Sequence, residues 1–76
     1  MNTYNLLSVG IGQTAEVSSI SLDGISHRRL LDLGLTPGTA VTCLYAAPSG
    51  DPRAYLVRGA VIALRDTDAE YIRVRH

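Results

Sequence analysis

Seventy-six residues allow one small domain, spanning 1–76, with a marginal core stabilised by about 5 kcal/mol net. The basic residues are all arginine, seven of them against seven acids, so the formal net charge is zero. That counts against a general phosphate-backbone binder, which gains affinity by releasing counterions at a net basic face. Cys43 is the only cysteine, which excludes an internal disulfide and suits a reducing compartment. No apolar run approaches the ~20 residues of a membrane span. Met1-Asn2-Thr3-Tyr4-Asn5 has no basic start before an apolar stretch, so it does not read as a signal peptide. These features predict a cytoplasmic protein that reaches a membrane only through a partner.

Leu6, Leu7 and Val9 form a short apolar entry, and Gly10-Ile11-Gly12-Gln13 reads as a turn. The stretch 14–22 reads as the first main strand. Ala15 and Val17 share one parity and Ile20 and Leu22 the other, so a bulge near Ser18-Ser19 is expected. A helix follows, capped by Asp23 or Ser26, with Leu30, Leu31 and Leu33 as its apolar stripe. Gly34 stands where a helix ends in a left-handed residue. Pro37-Gly38 then makes a turn, because proline presets φ at its second position and glycine tolerates positive φ at its third. Thr39 opens a strand over 39–47. Pro48-Ser49-Gly50-Asp51-Pro52 is the strongest breaker cluster.

The next strand, 53–58, places Ala54 and Leu56 on one face and Tyr55 and Val57 on the other. Gly59 allows a tight reversal into a strand over 60–65, where Ile62 and Leu64 oppose Val61 and Ala63. Asp66-Thr67-Asp68-Ala69-Glu70 reads as a turn or one helical turn capped by Asp66 or Thr67. The final strand, 71–75, turns Ile72 and Val74 inward and Arg73 and Arg75 outward. About five short strands with one helix after the first predict an all-β chain that closes, or nearly closes, into a small barrel and so hides its edges.

The residues Arg29-Leu30-Leu31-Asp32-Leu33-Gly34-Leu35-Thr36-Pro37-Gly38-Thr39, then Ala47-Pro48-Ser49-Gly50-Asp51-Pro52, Val57-Arg58-Gly59, Ala63-Leu64-Arg65 and Ile72-Arg73-Val74 resemble the FeoA family in order and spacing. The resemblance covers about 6–74, nearly the whole chain. It implies an SH3-like β-barrel, a domain type that also ends metal-dependent repressors of the DtxR kind. It further implies an accessory or regulatory role toward FeoB, a membrane transporter of Fe²⁺ with a cytosolic GTPase domain. It does not imply catalysis. Because the family's domain is described as a transition-metal-binding class, the cofactor expectation is none beyond weak binding of a divalent transition metal.

For metal, His27 beside Asp23 or Asp32 is the one weak candidate, because Fe²⁺ favours imidazole and carboxylate ligands in convergent sets. His76 and Cys43 are weaker, the first as a chain terminus and the second as a small strand hydrophobe. Nothing pairs a nucleophile with a base, so an enzyme is not expected. Gly10 and Gly12 lack the third glycine and the helix of a dinucleotide loop. A binding surface remains. If Leu56, Ile62 and Leu64 fill the barrel, Tyr55, Val57, Val61 and Ala63 fall partly outside beside Arg58, Arg65 and Arg73, either as a face with the composition of a protein contact or as one covered by the helix or the N-terminal segment. Leu33 and Leu35 flank Gly34 as core residues or partner contacts. Asp51 is expected to bond its own loop or to pair with Arg58 or Arg65. Two rival readings stay open. One is a small nucleic-acid barrel using Arg53, Arg58, Arg65, Arg73 and Arg75 with Tyr55 and Tyr71 as stacking platforms. The other is a small Fe²⁺ sensor or carrier.

Overall fold

The computed structural model describes residues 4–75. One antiparallel sheet holds six strands: β1 (Tyr4–Asn5), β2 (Thr14–Ile20), β3 (Ala40–Ala46), β4 (Arg53–Val57), β5 (Ala60–Leu64) and β6 (Ile72–Arg75). The strand order is β1-β6-β2-β3-β4-β5. Helix α1 (Gly24–Asp32) follows β2, and the single-turn α2 (Asp66–Ala69) joins β5 to β6. This is the small SH3-like fold expected, with one strand more than the five anticipated. The extra one is β1, two residues long and paired to β6 through Tyr4↔Val74 and Asn5↔Arg73. Two residues carry no alternation, so nothing in the sequence announces it.

Two irregularities bend the sheet around its core. The β2–β6 register shifts between Val17 and Ser19, where the broken parity of β2 places a bulge. A second shift, between Cys43 and Tyr45 in the β3–β4 pairing, was not anticipated. It lets Val41 and Cys43 point inward while Tyr45, next in the same parity, turns out. The core gathers Val17, Leu30, Leu35, Val41, Cys43, Tyr55, Val57, Leu64, Ile72 and Val74 with Leu6 and Val9 from the entry segment. Of the helix stripe, only Leu30 is buried. Leu31 is half-buried and Leu33 is exposed.

The corner between α1 and β3 is built from local rules. Gly34 takes φ +100° just past the end of α1. Its N–H donates to the Leu31 carbonyl and the Leu35 N–H donates to the Leu30 carbonyl. This paired pattern ends a helix by satisfying two of its orphan carbonyls, and it brings Leu30 and Leu35 together in the core. The Pro37-Gly38 turn closes with a bond from the Thr39 N–H to the Thr36 carbonyl, with Gly38 at φ +91°.

Capping differs from expectation at both helices. Asp23 holds the cap position just before α1 but makes no side-chain cap bond. At α2 the cap position is Arg65, so neither Asp66 nor Thr67 caps it. The acceptor comes from a distant loop: Asp51 Oδ1 takes the Asp66 N–H at 3.1 Å. Among the described residues, no helix is long and apolar enough to cross a membrane.

Candidate docking face

The β4–β5 hairpin turns on Arg58 and Gly59, at φ +51° and +80°. Positive φ at both central residues is the type I′ geometry, whose twist matches the flanking strands. Arg58 is therefore a turn residue, not the last residue of β4. Its guanidinium reaches across to the α1–β3 corner. Nε donates to the Gly34 carbonyl at 3.4 Å, and Nη2 donates to Thr36 Oγ1 at 2.9 Å and Thr39 Oγ1 at 3.1 Å. Arg58 thus braces the corner and pairs with no carboxylate there.

On β4 the two faces are the reverse of the sequence expectation. Tyr55 and Val57 are buried and Leu56 is 38% exposed. The physical reason lies in the pairing with β3. The inward residues Val41 and Cys43 stand opposite Val57 and Tyr55, and cross-strand partners share a face. Tyr55 and Val57 hence present no side chain to a partner, and Tyr55 cannot serve as a stacking platform for a nucleic-acid base. Leu35, fully buried under the corner, is likewise unavailable. On β5 the assignment agrees with the structure. Leu64 is buried and Ile62 packs against the core, while Val61 is 57% exposed and Ala63 is exposed.

The outward side chains form rows across three strands. Tyr45 stands opposite Ala54 and Ala54 opposite Ala63, while Thr42, Leu56 and Val61 line up beside them. Tyr45 is 60% exposed. Between these rows and the Pro48–Pro52 loop lies a groove of about 380 Å³ whose walls include Tyr45, Pro48, Pro52, Val61 and Ala63. Arg53 lies at its side and sends Nη1 to the Leu7 carbonyl at 3.3 Å. Sequence reasoning missed Tyr45 and Leu56. Leu56 carried no signal, because both faces of 53–58 are apolar and alternation alone does not choose the inner one. Tyr45 had none, because the bulge that turns it outward leaves no mark on composition.

The remaining candidates scatter. Arg65 is exposed at the end of β5. Asp51 is half-buried and spent on α2, and pairs with neither Arg58 nor Arg65. Leu33 is exposed at the end of α1, well away in sequence from the groove residues. Arg73 donates to Ser21 Oγ at 3.3 Å, and Arg75 pairs with Glu16 through Nε at 2.8 Å. The arginines therefore do not converge on one basic surface. His27 is half-buried on α1, and among the described residues no three His, Cys, Asp or Glu side chains are grouped to hold a metal ion. His76 lies outside the described residues.

Buried polar atoms gather beneath the groove. The Tyr55 hydroxyl, Arg53 Nε and Asp66 Oδ1 have no hydrogen-bond partner among the described residues. Burial, reinforced by nearby Cys43, pushes the Tyr55 hydroxyl up to about 12. The nearby Arg53 guanidinium pulls the other way.

Comparison with known proteins agrees with this architecture. A comparison with curated proteins gives no match. The solution structure of FeoA from Chlorobium tepidum is 37% identical, with a TM-score of 0.87 over 93% of this chain and 68% of that one. The crystal structure of Stenotrophomonas maltophilia FeoA, complexed with zinc and put forward as a prokaryotic SH3 domain protein and ferrous iron transport activating factor, is 27% identical. It superposes with a TM-score of 0.82 over 92% of this chain and 87% of that one. IdeR from T. acidophilum, at 24% identity, shares the fold alone, with a TM-score of 0.85 over 99% of this chain and 34% of the repressor. The FeoA domain model matches residues 4–76, and the chain belongs to the FeoA family.

Proposed function

We propose that this protein is a non-enzymatic accessory factor of ferrous iron uptake that works in the cytoplasm by docking on the cytosolic part of the FeoB GTPase transporter. The observation that carries the reading is the outer face of β3, β4 and β5. It is an apolar, grooved surface, with exposed Tyr45, Leu56 and Val61 beside Arg58 and Arg65, on a chain of the FeoA family. Contiguous exposed apolar surface with arginine at its margin is the composition of a protein contact. The absence of a nucleophile–base pair in the described residues fits a binding role, since Cys43 is sealed in the core and His27 sits on α1. Asp51 and Leu33 belong to this reading only as neighbours that shape the loop and the helix end.

The test is an amide-resolved NMR titration with the soluble GTPase domain of the cognate FeoB. Shifts confined to Tyr45, Leu56, Val61, Ala63 and Arg65 are the expected result. Saturating partner with no shift, or shifts confined to α1, removes the docking face.

A transition-metal role for His27 has narrower support. The zinc in the S. maltophilia FeoA structure shows that one member of the family takes a transition metal. In this chain a site at His27 would need ligands from outside the described residues or from a second molecule. His27→Ala with zinc titration monitored by calorimetry decides it: a loss of binding supports the site, and unchanged binding removes it.

A further inference from the structure

The sheet order leaves β5 with a neighbour on one side only. A two-residue loop makes Val57↔Ala60 the first hydrogen-bonded pair of the hairpin. Antiparallel pairs alternate, so Ile62 and Leu64 also bond to β4, opposite Tyr55 and Arg53. The N–H and C=O groups of Val61 and Ala63 then point the other way, along the open edge. Among the described residues, no backbone bond from another segment reaches them.

Edge strands are normally blunted by a charge, a proline or a bulge. Ala60-Val61-Ile62-Ala63-Leu64 has no charged residue and no proline, and its register with β4 runs without a shift. The same two residues that expose the backbone edge, Val61 and Ala63, also wall the groove. A strand laid along β5 would direct alternate side chains to the groove face, toward Tyr45 and Pro48. Main-chain bonds and a pocket for alternate residues are the two parts of recognition by strand addition.

Charge selects the occupant. Arg58 and Arg65 stand at the two ends of β5, both exposed. The bonds of Arg58 go to neutral oxygens, and among the described residues no side-chain bond ties up the Arg65 guanidinium. If a second copy paired here antiparallel with Val61 opposite Ala63, Arg58 of one copy would stand opposite Asp66 of the other and Arg65 opposite Gly59, so no acid of the second copy would face Arg65. Asp66 lies at the same end and is half-buried, with Oδ1 out of contact with water. Two exposed arginines, one at each end of β5, favour acidic ends on the incoming strand.

We propose that the outer edge of β5 is a strand-addition site that takes an extended apolar segment with acidic ends from a partner protein. This rests on the docking reading for the identity of the partner, the cytosolic part of FeoB, and not for the chemistry of the edge.

The experiment uses the full chain with two probes: a capped pentapeptide of alternating valine and threonine with a glutamate at each end, and the soluble FeoB GTPase domain. Amide hydrogen exchange is read by NMR. Ala60, Ile62 and Leu64 are slow in the free protein, and bound peptide slows Val61 and Ala63 by about tenfold or more. Ala63→Pro removes only an outward N–H, which an edge strand tolerates, and weakens peptide binding by about tenfold or more. Val61→Glu leaves every β4 bond in place and gives the same loss through repulsion of the acidic ends, which guards against a misfolded proline variant. Peptide binding that ignores both substitutions overturns the site. Protection of Val61 and Ala63 that rises with protein concentration alone assigns the edge to a second copy and overturns the occupant. GTPase-domain binding unaffected by either variant overturns strand addition while docking stands. Peptide binding with the expected pattern, but no binding of the GTPase domain, upholds the edge and removes FeoB as its occupant.

Discussion

Two regions meet at the β4–β5 hairpin, and they treat their groups in opposite ways. In the α1–β3 corner the apolar side chains of Leu30 and Leu35 are sealed, the Gly34 and Leu35 amides find carbonyls, and Arg58 ties the Thr36 and Thr39 hydroxyls together. On the outer face of β3, β4 and β5, Tyr45, Leu56 and Val61 stay in contact with water and the edge of β5 keeps free donors and acceptors. A domain of this size has only about 5 kcal/mol in hand, so it cannot leave such groups open at the positions that hold it together. The corner is where stability resides, and the face is where substitution is cheap for the fold and costly for a contact.

The largest effect tests that division directly. Leu30→Ala removes a fully buried side chain and is expected to cost ~2–5 kcal/mol, enough to unfold much of the population. Val61→Ala on the face should stay within about 0.5 kcal/mol. Urea denaturation followed by circular dichroism compares them, and equal losses would erase the distinction between corner and face.

A smaller effect sharpens the corner. Gly34 and Gly38 both hold positive φ, at +100° and +91°. A methyl at Gly38 meets open space, whereas one at Gly34 meets Val57 Cγ1 and Arg58 Cδ, each at 3.2 Å. Gly38→Ala therefore carries the backbone strain alone, ~1 kcal/mol, and Gly34→Ala adds a steric cost to reach ~2–3 kcal/mol. Thermal melts of the two variants should differ by several degrees. A reversed order would mean that Arg58 swings aside freely and does not brace the corner.

That same contrast explains what could be read from the sequence. The corner follows from neighbours along the chain: a leucine stripe, a glycine past the helix end, and Pro37-Gly38 before a β-branched run. The β2 bulge was legible as well, because Ala15 and Val17 conflict in parity with Ile20 and Leu22. The outer face depends on pairing between strands far apart in sequence. Alternation in 53–58 offers two faces and no sign of which is inner; only the register that sets Val57 against Val41 and Tyr55 against Cys43 decides it. The shift between Cys43 and Tyr45 then turns Tyr45 outward without any local cue. Asp51 is a similar case, since its partner is an amide fifteen residues away. Arg58 and Asp51 both looked like a candidate ion pair, and both are instead spent on backbone and hydroxyl groups.

Tyr55 supplies a pH-dependent effect beneath the face. Its hydroxyl is pushed up to about 12 by burial first and by Cys43 second. The unfolded chain loses that proton near the ordinary tyrosine value of about 10. The folded state thus holds the proton longer, so this contribution is complete below pH ~10 and is lost as pH climbs toward 12. The loss is on the order of 2 kcal/mol. Tyr55→Phe removes the titration and leaves no orphaned partner, because the hydroxyl has no hydrogen bond to lose. Denaturation midpoints between pH 9 and 11.5 should fall for the native chain more steeply than for Tyr55→Phe. Parallel curves would place the Tyr55 hydroxyl in contact with water.

The smallest effect lies where corner-like bonding invades the face. Asp51 sits in the loop that walls the groove, yet its Oδ1 does the work of a helix cap for α2. Loss of a capping acceptor costs about 1 kcal/mol, part from the hydrogen bond and part from the favourable charge at a helix start. Asp51→Ala removes both parts. Asp51→Asn keeps an acceptor for the Asp66 N–H and removes the charge. Asp66 and Asp68 already crowd that first turn with negative charge, so losing the Asp51 carboxylate also relieves repulsion. The expected order is a loss of about 1 kcal/mol for Asp51→Ala and a change near zero for Asp51→Asn, read by urea midpoints, with faster exchange of the Asp66 amide in the alanine variant alone. Equal losses in both would assign the role of Asp51 to its charge and not to the bond. No loss in either would mean that α2 holds its place through its packing on the entry segment, and that Asp51 is free to serve the docking face.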